Sequence, residues 1–177
     1  MSGTDVLERA AGLGPAARLL AAWWSPPTEE ELARWELPDE LRVPLEETRP
    51  EALREEYERL FVGPGGAPCA PYESMWQTDG PRREQGRLMA ACAADVARIY
   101  GDLGLRVRPD ARELPDHVVI EWEALAYALE NGAIEAADAL LTGHLAVWMP
   151  PFCAAVEAET TEPFYAALAR LTAALAA

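Results

Sequence analysis

The chain has 177 residues, 50% of them hydrophobic, and a formal charge of −15 to which lysine contributes nothing, because all 15 basic residues are arginines. That size suits one domain burying roughly 70% of the surface its unfolded chain exposes, with no metal or disulfide staple, and the acidic balance excludes a basic patch for nucleic acid. Cys69, Cys92 and Cys153 form no CxxC pair and leave one thiol unmatched in any pairing, which points to a reducing cytoplasm rather than a secreted disulfide framework.

The opening MSGTDVLERA carries Asp5 and Glu8 where a secretory signal would be basic, so no targeting segment is expected. Val6 to Trp24 reads as a helix weakened by Gly12, Gly14 and Pro15, and Thr28-Glu29-Glu30-Glu31 is a capping-box pattern that opens a short one. Glu36 to Pro50 reads as irregular. In Pro50 to Val62 the apolar residues Leu53, Tyr57, Leu60 and Phe61 share one helical face. Gly63 to Gly80 is the longest stretch without periodicity. Pro81 to Leu103 carries the stripe Leu88, Cys92, Val96, Ile99 and Leu103, with Gly104 as the stop.

After an irregular Leu105 to Leu114, the spacing predicts a helix from Pro115 to about Glu130, ended by Asn131-Gly132, with the apolar line Val118, Trp122, Leu125 and Leu129. Ala133 to Met149 places Ile134, Ala137, Leu141, Leu145 and Trp148 on one side, and Phe164, Leu168, Leu171 and Leu175 repeat the spacing near the end. Ala139 to Val156 lacks Asp, Glu, Lys and Arg, which reaches the lower length limit of a membrane span. Thr142, Gly143 and His144 dilute it and Pro150-Pro151 is expected to break it, so it reads as a buried core helix without stable membrane insertion. No segment alternates with period two, and the fold class is all-α, a single helical domain over 1–177. Between Glu113 and Ala177 ten acidic residues face one basic residue, Arg170. A solvated acidic surface or one that attracts a cationic peptide would both account for this.

The stretch LFVGPGGAPCAPYESMW, Leu60 to Trp76, is neither a phosphate loop nor a linker. A Walker A loop needs a lysine, and a dinucleotide fingerprint needs GxGxxG after a strand. Pro64, Pro68, Pro71, Tyr72, Met75 and Trp76 stiffen the loop and present apolar area, either to the core or to a ligand.

The segment EEYERLFVGPGGAPCAPYESMW, from Glu55 to Trp76, resembles the Y-x-x-L-F-x-G-P … P-Y/W-x-S-x-W/Y signature of the TorD/DmsD family of chaperones for molybdenum oxidoreductases. LPDHVVIEWEALA, from Leu114 to Ala126, is similar to that family's P-D-H … E-x-E helix start, with Trp122 and Ala124 where Leu and Phe are usual. HLAVWMPPF and EPFYAALARL resemble its last two helices. The resemblance covers most of the chain from about residue 50. It implies an all-helical bundle, a recognition loop at 63–80, and a cytoplasmic chaperone. Its partner would be the apo form of a molybdopterin oxidoreductase catalytic subunit, bound through the twin-arginine leader so that export waits for cofactor insertion. It implies no catalysis and no cofactor of the chaperone's own, and it allows a monomer or a helix-swapped dimer. The peptide-binding residues it implies are Leu60, Phe61, Pro71, Tyr72, Trp76, Asp116 and His117.

Chemistry adds two more. A twin-arginine leader offers two guanidiniums and an apolar stretch, so carboxylates beside aromatic side chains suit it: Asp116, Glu121 and Glu123 for the arginines, Tyr72 and Trp76 for the apolar part or for stacking. Two alternatives remain in view: a nitrate-reductase-assembly chaperone for a client that stays on the cytoplasmic side, and a small hydrolase using His117. The second lacks an activated nucleophile, since Ser74 has no nucleophile-elbow context. Two histidines and three scattered cysteines provide no metal ligand set, and His144 reads as a core residue.

Overall fold

The structure, a computed structural model, describes residues 3–63, 66–77, 88, 91–108 and 113–177, with side chains from residue 12. These residues form α1 (Gly3–Trp23), α2 (Glu29–Leu32), α3 (Asp39–Glu46), α4 (Pro50–Tyr57), α5 (Glu73–Trp76), α6 (Ala91–Asp102), α7 (Val118–Glu130), α8 (Ile134–Leu140), α9 (Ala146–Glu159) and α10 (Pro163–Ala176). Two π-helical turns, Glu58–Val62 and Leu141–Leu145, extend α4 and α8. No strand occurs among the described residues, so the all-α expectation holds. By contact the chain divides into two compact units, Met1–Ala21 with Tyr72–Trp148, and Ala22–Pro71 with Met149–Ala177.

In the first unit α6 packs on α5 and α8, and α7 packs on α8. Val96, Ile99, Trp122, Leu125, Leu140 and Leu145 are buried there. Two glycines end helices as expected. Gly104 (φ 73°) closes α6 with Leu105 N donating to Tyr100 O and Gly104 N to Gly101 O. Gly132 (φ 68°) closes α7 with Ala133 N donating to Ala128 O and Gly132 N to Leu129 O. Both are Schellman ends, in which a left-handed residue satisfies the last carbonyls and glycine avoids the Cβ penalty.

The second unit is built round an aromatic cluster. Phe61 meets Tyr57 at 5.1 Å, Tyr165 at 5.5 Å, Trp24 at 5.7 Å and Phe152 at 6.2 Å between ring centres. The polar tips of its partners are satisfied: Trp24 Nε1 donates to Thr172 Oγ1 (3.0 Å) and Tyr165 OH to Leu53 O (3.2 Å). Glu56 ties α4 to the α9–α10 turn, accepting from Arg59 (2.7 and 2.8 Å), Thr160 Oγ1 (2.9 Å) and Thr161 N (2.7 Å). Burial by itself would push the Glu56 carboxyl up, but these donors outweigh it and hold it at about 2. The stabilisation from this site is therefore present above the ordinary carboxylate range and is lost as pH falls towards 2.

Several expectations need correction. Asp39–Glu46, expected irregular, is α3, which presents Leu41 to the core and accommodates Pro44 inside it. The helix expected over Val6 to Trp24 is present as α1, which runs on through Pro15. Helix α7 starts at Val118 rather than Pro115, because His117 supplies its cap. Leu88 lies in a turn, 52% exposed, and does not extend the buried stripe of α6; the rest of 81–90 lies outside the described residues. Pro150-Pro151 does not break the helix, and α9 continues to Glu159. A proline's fixed φ is itself helical, so each ring removes one amide donor without imposing a non-helical turn. Ile134–Glu159 is thus long and apolar enough to cross a membrane by length and composition. Its Leu140, Leu145, Trp148, Met149, Phe152 and Val156 are nevertheless buried in protein, as expected of core helices.

Because Phe61 touches four rings, Phe61→Ala is expected to cost about 3–5 kcal/mol, the range for removing a buried aromatic side chain. A urea titration should show a lower midpoint, with Phe61→Leu falling between the variant and the parent.

Candidate peptide-recognition site

Two segments of the first unit make the site, Tyr72–Gln77 and Glu113–Glu121. Tyr72 is extended (φ −128°, ψ 130°) and forms an isolated antiparallel bridge with His117. Immediately after it the chain turns into α5, whose first amides need acceptors. Asp116 supplies them: its backbone carbonyl accepts from Glu73 N (2.9 Å) and its Oδ2 from Ser74 N (3.0 Å). His117, the next residue, caps α7, with Nδ1 accepting from Val119 N at 3.3 Å. Pro115 O accepts from Tyr100 OH at 2.9 Å, which anchors the turn to α6. Three consecutive residues therefore fasten two helix starts and a neighbouring helix.

The His117 bond fixes its tautomer, since an accepting Nδ1 leaves the proton on Nε2. Burial pushes the pKa of His117 down, and Glu113 and Asp116 counter this only in part. The Tyr72 ring lies edge-on to His117, with centres 5.1 Å apart and planes at 70°, and its hydroxyl donates to Glu113 Oε2 at 2.6 Å. Tyr72, Met75, Trp76 and Gln77 remain partly exposed. Tyr72, held by these contacts, and Trp76, at the end of α5, are the partly exposed aromatic residues of this segment and are termed the ledge.

Beneath this ledge the carboxyls are enclosed. Glu73, Asp116 and Glu121 are all 0% exposed. Glu121 Oε2 accepts from Trp148 Nε1 at 3.0 Å, and burial, reinforced by Glu73, pushes its carboxyl well above the ordinary range. His144 Nδ1 lies 3.0 and 2.9 Å from the two oxygens of Glu73.

The family model described as nitrate reductase delta subunit matches residues 25–154. The chain belongs to that family. It is 28% identical over 143 residues to the Tat proofreading chaperone DmsD of Salmonella typhi, covering 78% of this chain and 68% of that protein. It is 35% identical over 129 residues to the chlorate reductase assembly chaperone protein of Ideonella dechloratans, covering 66% of this chain and 62% of that one. A crystal structure assigned as a redox enzyme maturation protein, from Archaeoglobus fulgidus, shares the fold with a TM-score of 0.67, 24% identity and 91% coverage of both chains. The DmsD relative bears out the TorD/DmsD resemblance read from the two motifs.

In this delta-subunit-family chain the motif residues divide. Tyr72, Trp76, Asp116 and His117 come together in the first unit, whereas Leu60, Phe61 and Pro71 are buried in the second. Leu60 and Phe61 are core side chains rather than a peptide-facing surface, because the π-turn after α4 directs Phe61 into the aromatic cluster. Asp116 and Glu121 do not present carboxylates to an arginine either, since both are wholly buried, Oδ2 of Asp116 serving α5 and Oε2 of Glu121 serving Trp148. Glu123 is exposed on α7. His117 and Glu121, one helical turn apart, take different partners. Ser74 Oγ is buried without a partner, and neither histidine accepts from it, so no nucleophile–base pair exists there. Among the described residues no group of His, Cys, Asp or Glu could hold a metal ion.

Sequence reasoning missed Glu73, Glu113, Tyr100 and Trp148. Only Glu73 left a local signal, as the one charged residue of Leu60 to Trp76, set between Tyr72 and Trp76.

His117→Ala removes both the α7 cap and the ring against Tyr72, with an expected loss of about 1–2 kcal/mol in urea unfolding. His117→Asn keeps a capping acceptor and should recover part of this. Equal losses in the two variants would show that the ring contact, not the cap, carries the stabilisation.

Proposed function

We propose that this chain is a cytoplasmic chaperone that reads the twin-arginine leader of a molybdopterin oxidoreductase catalytic subunit through the ledge of Tyr72 and Trp76. Its family and relatives make it an assembly chaperone for redox enzymes, not an enzyme. The observation that carries the leader reading is the Tyr72–His117 bridge, which holds the partly exposed Tyr72 on a turn fixed by internal hydrogen bonds, at the start of the short helix that ends in the partly exposed Trp76. Such preorganisation lowers the ordering cost of binding an extended peptide. The apolar part of a leader suits Tyr72 and Trp76, and a guanidinium can stack on either ring. Exposed Glu123 offers a carboxylate from α7 at the surface, where charges speed encounter more than they deepen affinity. By retaining the leader, the chaperone keeps the apo-subunit from export until its cofactor is inserted.

Calorimetry at two salt concentrations tests this, using the leader peptide of the nearest encoded molybdoenzyme and an Arg-Arg→Ala-Ala control. Binding at about 1 μM or tighter, roughly −8 kcal/mol, is expected for the intact leader and weaker binding for the control. Trp76→Ala should raise the off-rate about tenfold, as loss of a buried aromatic anchor does, while Glu123→Gln should mainly reduce the salt dependence. Equal binding of both peptides, or of neither, would remove the twin-arginine reading and leave the mature apo-enzyme as the client.

A further inference from the structure

Helix α5 carries the ledge, yet its first side chain, Glu73, points inward and is wholly buried. His144 meets both Glu73 oxygens through Nδ1, and its Nε2 lies 3.3 Å from Asp95 Oδ2 on α6. A neutral imidazole has a single N–H and can donate to only one of these carboxylates, so both contacts are hydrogen bonds only in the imidazolium. Gln77 Nε2 donates to Glu73 Oε1 at 2.5 Å, closing the far end of α5 on the same carboxylate. Burial, with Glu73 and Asp116 nearby, pushes the Glu121 carboxyl well above the ordinary range, which lessens its tendency to place a second charge beside the pair.

We infer that Glu73 and His144 are positioning residues for the peptide-reading ledge: their buried ion pair fastens α5 to the 141–145 turn, Asp95 carries the link on to α6, and loss of the His144 proton loosens the assembly by leaving one N–H for both carboxylates. This rests on the reading of Tyr72 and Trp76 as the peptide surface. Removing one partner of a buried pair leaves an uncompensated charge, and deprotonating His144 removes the positive charge that faces Glu73 without a mutation.

Burial alone would lower the pKa of His144, but Glu73 and then Asp95 outweigh it and the net shift is upward. The folded protein thus holds this proton more tightly than the unfolded chain. The fastening is complete below the ordinary histidine value, about 6.5, and is lost as pH rises through the higher value in the folded protein. The charged groups that act on His144 are Glu73 on α5 and Asp95 on α6; round Glu73 lie Cys92 and Tyr100 on α6 and Glu121 on α7, while Asp138 on α8 is exposed. Burial pushes Cys92 up to about 12 and Tyr100 well up, so neither titrates near neutrality. Burial shifts His117 the other way, downward from the ordinary histidine value.

Hydrogen exchange of the 74–77 amides, corrected for intrinsic rates, reads the latch without any peptide. Protection in the parent should fall at least about tenfold between about pH 6 and pH 9, while α7 amides keep theirs. His144→Gln should be weakly protected and flat with pH. Asp95→Asn, at a half-exposed position, removes one carboxylate from His144 and should move the fall to lower pH, which decides the matter even where His144→Gln does not fold. A pH-independent parent, or an unmoved midpoint in Asp95→Asn, overturns the latch. The leader peptide's off-rate, followed over the same range, should rise with the loss of protection. A peptide that never binds while the exchange curve holds defeats the leader reading and leaves the latch standing; tight binding with flat exchange does the reverse.

Discussion

The site depends on one turn, Pro115-Asp116-His117, whose polar groups serve chain segments far apart in sequence. A helix start exposes amides that must find acceptors, and this turn meets that demand for α5 and α7 with adjacent side chains. Because Asp116 and His117 are neighbours, the two helix starts cannot shift independently without breaking a buried hydrogen bond. The orientation of Tyr72 follows, since its backbone pairs with His117 and its hydroxyl is taken by Glu113. A loop of only six residues, Tyr72 to Gln77, thereby acquires the rigidity of the helices beneath it.

This arrangement places three carboxyls out of water, at a cost that must be offset by specific partners. Each is answered differently. Asp116 receives an amide, Glu121 receives an indole N–H, and Glu73 receives the imidazole of His144. Three bare charges at this depth would repel one another, and burial with the neighbouring carboxyls accordingly pushes Glu121 towards its protonated form. The acidic surplus of the chain is therefore not only a solvated surface; part of it is internal.

Local features of the fold were legible in the sequence. Gly104, Asn131-Gly132 and Thr28 announce helix ends through chemistry confined to a few residues, and each stands where expected, with Thr28 Oγ1 accepting from Glu31 N. The errors arose where tertiary packing overrode a local rule. Pro44 and Pro150-Pro151 sit inside helices because burial of Leu41, and of Met149, Phe152 and Val156, outweighs the missing amide donors. Leu88 matched the period of α6 but lies before its first turn, so periodicity alone extended the stripe too far.

The candidate site was half legible for a related reason. The motif from Glu55 to Trp76 spans the boundary between the two units, at Pro71 and Tyr72. Its first half, with Leu60 and Phe61, is an aromatic core; its second half is the ledge and its fastening. A motif reads as one string, but the string does two physical jobs, and residue type separates them poorly because Phe61 and Trp76 are both large aromatics. Glu73 and His144 stand 71 residues apart and share no periodic relation, so nothing local pairs them. What the sequence did offer was a mismatch: a lone carboxylate in the apolar stretch Leu60 to Trp76 and a histidine on an apolar helix face. Each is costly to bury alone, and two such liabilities of opposite sign in one chain are reason to look for their contact in the structure.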